Sequence, residues 1–131
     1  MKPEAHFYSK LKPAFQARGL EIDRIENAIS AGIFDCYVTW PDGLDGWLEL
    51  KSYPSEKKPV LRESQRLWAI RKLRHKQRLA VLCSTPGRVA LYPINTDGLI
   101  PDEALVWGEV RHSPWPQLVH ILSVYFRSQL S

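Results

Sequence analysis

Hydrophobic and polar positions alternate along this chain with two different periods, and the periods divide it into elements. Over residues 4–18, Phe7, Tyr8, Leu11 and Phe15 recur at helical spacing, and Gly19 stops the pattern. Pro13 sits inside it and predicts a kink or a split. A short strand or loop is expected around Leu20–Ile25. Residues 33–40, IFDCYVTW, are β-branched and aromatic and read as a strand. PDGLDG is turn chemistry, and a second strand over 46–52 completes an antiparallel hairpin. After a charged loop, YPSEKKP, residues 60–78 form a helix with Leu61, Trp68, Ile70 and Leu73 available for burial. LAVLCS, 79–84, has the uniform apolarity of a sheet interior. Strands over 88–94 and near 105–111 follow, and an amphipathic helix near 115–130 ends the chain. The order predicts an α/β domain spanning 1–131, with a small mixed central β-sheet flanked by helices.

One predicted strand breaks its own rule. GWLELKS, 46–52, places Glu49 and Lys51 within an apolar run. Strand side chains alternate faces, so Trp47, Glu49 and Lys51 share one face, and Leu48 and Leu50 the other. In the preceding strand Ile33, Asp35, Tyr37 and Thr39 share a face, opposite Phe34, Cys36, Val38 and Trp40. With the apolar sets turned to the core, Asp35 and Glu49 emerge on the same side. Two carboxylates from adjacent strands can hold a hard cation such as Mg²⁺, which takes oxygen ligands and keeps several waters. A cation of this kind acidifies bound water, and a neighbouring lysine orients the water or offsets charge growing on a phosphate. The set suits hydrolysis of a phosphodiester. The plainer reading is a same-face or cross-strand ion pair on a solvated sheet face. The acid-x-lysine spacing is not specific alone, since Glu56 and Lys58 repeat it in a polar loop.

Composition adds a basic stripe. The 131 residues carry a formal charge of +4. Nine of the 18 lysines and arginines fall between 57 and 78: Lys57, Lys58, Arg62, Arg66, Arg71, Lys72, Arg74, Lys76 and Arg78. Directly after an acidic site, such a stripe can neutralise phosphates and steer DNA toward it; otherwise it is a solvated helix face. The two cysteines, Cys36 and Cys83, make neither a disulfide framework nor a Cys-rich metal site and read as small buried hydrophobes. The four histidines lack zinc-ligand spacing, and no phosphate loop or nucleophile elbow is present. Trp107 and Trp115 read as core or dimer-contact residues. No apolar run is long enough to span a membrane, and MKPEAHFYSK holds no apolar signal core, so cytoplasmic residence is expected.

GIFD, GWLELKS and LRESQ together resemble the PD-(D/E)XK nuclease superfamily, in particular its small phage and bacterial resolvase-like and VRR-type members. The resemblance covers roughly residues 4–84 and implies a restriction-endonuclease-like core and a Mg²⁺-dependent DNA endonuclease, with Mn²⁺ an alternative metal. Asp35 then matches the first metal-binding aspartate, Glu49 the second acidic ligand and Lys51 the motif lysine. The Leu50 carbonyl would be a further ligand, Glu4 the first-helix acid and Gln65 the helix glutamine. Lys57, Lys58, Arg62 and Arg66 are the expected DNA contacts. Phe34 departs from the pattern, standing where the name-giving proline is expected. Glu26, in RIEN, is a further acid that the pattern places on no element. The resemblance admits a junction-resolving enzyme acting on branched DNA as a homodimer. A domain that keeps the fold and binds DNA without turnover is the rival expectation. The cell would be bacterial, or a host cell if the protein is phage-encoded.

Overall fold

The computed structural model describes residues 3–25 and 32–129. Helix α1 (Pro3–Gln16) leads into strand β1 (Glu21–Arg24), and β2 (Cys36–Thr39) and β3 (Asp45–Ser52) form the expected hairpin. Helix α2 (Glu63–Arg74) connects β3 to β4 (Leu79–Thr85). Then come β5 (Arg88–Tyr92), β6 (Val106–Glu109), a single 3₁₀ turn (Val110–His112) and α3 (Trp115–Ser128).

The six strands form one sheet in sequence order. Every neighbouring pair is antiparallel except β3 and β4. A parallel pair needs a crossover, and α2 provides it. Helices cover both faces. On one, Leu11 and Phe15 of α1 and Leu122 and Phe126 of α3 pack with Cys36, Val38, Leu48, Leu50, Ala80 and Leu82. On the other, Trp68 and Ala69 of α2 pack with Phe34, Leu79 and Val81. The face that carries Glu49 and Lys51 is therefore covered by α2, not solvated, and Glu49 is only 3% exposed.

Three sequence expectations change. Helix α1 continues through Pro13, whose ring is on the exposed side while Leu11 and Phe15 anchor the same turn in the core. Helix α2 is shorter than 60–78. Arg62 is extended (φ −66°, ψ 157°) ahead of its first turn, and Lys76 takes a left-handed conformation (φ 62°) beyond its end. Strand β2 does not reach back to residue 33. Gly32 has φ +95° and lies so close to α2 that a Cβ there would stand 2.3 Å from the Ser64 carbonyl oxygen. The chain turns at this point, and Phe34 leaves the face of Cys36 and Val38 to pack 5.1 Å, ring to ring, from Trp68. Where the resembling pattern expects a proline, this chain thus has a core aromatic. Both cysteines are buried and free, as expected. Trp115 packs against the core, whereas Trp107 is 52% exposed. Glu26 lies outside the described residues.

Candidate active site

The end of β2 creates the site. The hairpin register runs from Thr39↔Asp45 to Cys36↔Leu48, and there β2 stops. Strand β3 continues to Ser52 with β4 on one side and, among the described residues, no strand on the other. Asp35, one residue before β2, occupies that gap. Its carboxylate Oδ2 accepts the Leu50 N–H at 3.0 Å, and its own N–H donates to Glu49 Oε1 at 3.2 Å. Side chain and backbone thus replace the missing ladder bonds. In a strand the N–H and C=O of one residue project to the same edge, so the Leu50 carbonyl faces the gap beside Asp35.

Helix α2 closes the site from above through Gln65, which is 3% exposed. Its amide makes three hydrogen bonds. Nε2 donates to Glu49 Oε2. Oε1 accepts from Lys51 Nζ at 2.9 Å and from the Arg62 backbone N–H at 3.0 Å. The last of these satisfies an otherwise orphaned donor at the start of the helix. Gln65 therefore locks the first turn of α2 to both charged side chains of β3. Lys51 also pairs with Glu49 Oε2 at 3.5 Å, and its side chain is 12% exposed. Trp47 packs edge to face on Trp68, and Phe34 lies against the same Trp68 ring at a tilt of 37°.

The electrostatics are unbalanced. Burial first, and the neighbouring Asp35 carboxylate second, push the Glu49 carboxyl up to about 8, against the opposing pull of Lys51 and Gln65. Burial also raises the Cys36 thiol, with Asp35 and Glu49 adding to it, and lifts Cys83 to about 11, so neither is a nucleophile at neutral pH. The donor set suits a hard divalent cation. It offers two carboxylates and a backbone carbonyl, and a positive charge between the carboxylates would relieve the repulsion that raises Glu49.

Asp35, Glu49, Lys51, Gln65 and the Leu50 backbone are brought together as the sequence predicted. Glu4 lies in the first turn of α1, which packs on the opposite face of the sheet; its charge and that of Glu49 both act on Tyr53, and no three Asp, Glu, His or Cys side chains form a ligand cluster among the described residues. The basic candidates divide. Arg62 is exposed at the mouth of the site. Lys57 lies 4.8 Å over the Tyr53 ring, Lys58 pairs with Asp102 at 2.8 Å, and Arg66 pairs with Glu63 at 3.5 Å. Tyr53 was missed by the sequence reading. Its hydroxyl accepts the Val60 N–H at 3.3 Å, folding the loop between β3 and α2 back on itself. The only signal was an aromatic residue at the head of a charged, proline-bounded loop.

No protein-family model matches the chain, and no curated protein matches it. Among solved structures it is similar to a VRR_NUC domain, with a TM-score of 0.53 and 20% sequence identity. The alignment covers 65% of this chain and 87% of that one. With its six-stranded mixed sheet and a site gathered where β2 ends, this chain has the nuclease-like α/β fold of a VRR_NUC domain.

Proposed function

We propose that this protein is a metal-dependent endonuclease that hydrolyses DNA phosphodiester bonds. The observation that carries the reading is a buried, self-repelling carboxylate, Glu49, sharing one glutamine with a lysine two residues away on the same strand. A structural ion pair would be arranged to relieve Glu49; here Asp35 opposes it. Asp35, Glu49 and the Leu50 carbonyl would hold Mg²⁺, with Mn²⁺ able to replace it. When bound, the cation supplies Lewis acidity at the phosphate and lowers the pKa of water. Lys51 donates hydrogen bonds to the attacking water or to the phosphate oxygen on which charge develops. Gln65 is a positioning residue that holds Lys51 and Glu49 at a fixed separation. Glu4 is the auxiliary acid of this reading, next to Tyr53 on which Glu49 also acts. Arg62 and Lys57 are the basic residues freest to meet phosphates, because Lys58 and Arg66 already have carboxylate partners.

The test is cleavage of labelled duplex, flap, four-way junction and single-stranded DNA with Mg²⁺, Mn²⁺ or EDTA. Cutting that needs the metal and disappears in folded Asp35→Asn and Glu49→Gln variants supports the reading. Equal rates in the parent and both variants would sink it. A junction-resolving activity requires two sites, so sedimentation of the active species must then show a homodimer.

A further inference from the structure

We propose that the Trp107–Arg88 pair is a binding site for an unpaired nucleotide of the DNA strand that runs through the active site. The proposal deepens the nuclease reading and rests on it for the source of the strand. The register places Lys51 opposite Cys83, Cys83 opposite Ala90, and Ala90 opposite Trp107. These four residues form one cross-strand row on one face of the sheet. It begins at the active-site lysine and ends at the edge strand β6, about 14 Å away at the usual strand spacing. The two residues between are small, and the row widens there into a pocket of about 440 Å³.

Trp107 is 52% exposed, so core packing does not account for it. The Arg88 guanidinium stands 3.7 Å from the centre of its ring. Glu56 pairs with the same guanidinium and fixes its place. The pocket lining carries three cations, Lys57, Lys58 and Arg88, against the one carboxylate of Glu56. An indole stacked with a guanidinium offers two flat surfaces, and bases stack on both kinds. Lys57, whose ammonium has no carboxylate partner among the described residues, suits a phosphate that joins such a base to its neighbours, whereas Lys58 is paired with Asp102. The loop between β3 and α2 links the two sites. Its Lys57 and Lys58 line the pocket, while its Arg62 N–H is held by Gln65 at the carboxylate pair. A paired base inside a duplex cannot present its face to Trp107. The pocket therefore favours single-stranded or frayed DNA over blunt duplex.

The experiment measures fluorescence anisotropy of a labelled single-stranded oligonucleotide and of the same sequence as blunt duplex. Both are bound in EDTA, so that no cleavage is required. The parent is expected to bind the single strand more tightly. Trp107→Ala should weaken single-strand binding about tenfold and leave duplex binding unchanged, while Trp107→Phe keeps most of the affinity. Equal single-strand affinity in the parent and Trp107→Ala overturns the proposal, as does equal weakening on both DNAs or no binding by the parent. The nuclease reading fails separately. Absence of metal-dependent cutting, with Trp107-dependent binding intact, removes the enzyme and leaves the nucleotide site.

Discussion

Strand β3 carries two acids, a half-buried Asp45 at its start and a buried Glu49 near its middle, and treats them in opposite ways. At the start of the strand Asp45 receives hydrogen bonds from the Tyr37 hydroxyl and from the Arg78 guanidinium, whose Nε also reaches the Asp45 carbonyl oxygen at 2.6 Å. Burial works against its charged form, but Tyr37 and Arg78 outweigh it, and the Asp45 carboxyl is held below its ordinary range. Next to it, Trp47 Nε1 donates to Gln77 at 2.8 Å, so the local polar groups are well satisfied. Four residues further along, Glu49 is more deeply buried, faces a second carboxylate, and is pushed the other way. The first arrangement spends its partners on stability. The second leaves a charge problem that a proton relieves and that, on the proposed function, a bound cation would relieve.

The largest expected effect separates the two acids by activity. Glu49→Gln or Lys51→Ala should lower DNA cleavage by about a hundredfold or more, as loss of a metal ligand or of a charge-stabilising donor does. Asp45→Asn, with the fold confirmed by circular dichroism, should cut at nearly the parental rate. A comparable loss in Asp45→Asn would erase the distinction. Next comes Gln65→Ala, expected to reduce cleavage about 10–100-fold, since it frees both Lys51 and Glu49 without removing either. A pH–rate profile that moves with this substitution would show Gln65 acting on the ionisable groups and not merely on the fold.

Stability should divide the two acids in the opposite sense. Asp45→Ala leaves the Tyr37 hydroxyl and Arg78 Nη2 without their acceptor, while Arg78 Nε keeps the backbone carbonyl, and should cost about 2 kcal/mol in urea unfolding. Their pH dependences also differ in sign. The Glu49 carboxyl is raised in the folded protein, so its protonated form favours folding. Its contribution is complete below the unfolded carboxyl pKa and is lost as pH rises through about 8, with a slope of at most about 1.4 kcal/mol per pH unit. Asp45 is lowered, so its contribution is present above the unfolded value and is lost as pH falls through the folded one. Urea unfolding in EDTA across pH 4–9 should show the alkaline loss in the parent and not in Glu49→Gln. A parental curve with no such loss would mean that Glu49 is not strained. The smallest effect belongs to the surface. Lys57→Ala should reduce the salt slope of DNA binding by about one, and Lys58→Ala, whose lysine is already paired with Asp102, by less.

Much of this comparison is legible in the sequence. The apolar alternation of β3 made Glu49 conspicuous, and the turn at PDGLDG set the hairpin that places Asp35 across from it. Gln65 stood out because it fell on the inward stripe of α2. Other features were not legible because they depend on contacts between distant segments. Phe34 changes faces through the close approach of Gly32 to Ser64, which no strand periodicity encodes. Trp107 reads in the sequence as a core or dimer-contact residue; the sheet order, with β6 at the edge, leaves it half exposed.

The sequence by itself determined the elements, the hairpin, the acid-x-lysine strand and the basic stripe, because period, turn chemistry and composition are local properties of the chain. Tertiary structure decided which face α2 covers, that Glu49 is buried against Asp35 rather than solvated, and that one glutamine joins acid to lysine. Those outcomes rest on burial and on distances between residues far apart in sequence, and the physical chemistry of the site follows from them: a carboxyl's proton affinity is set by what surrounds it.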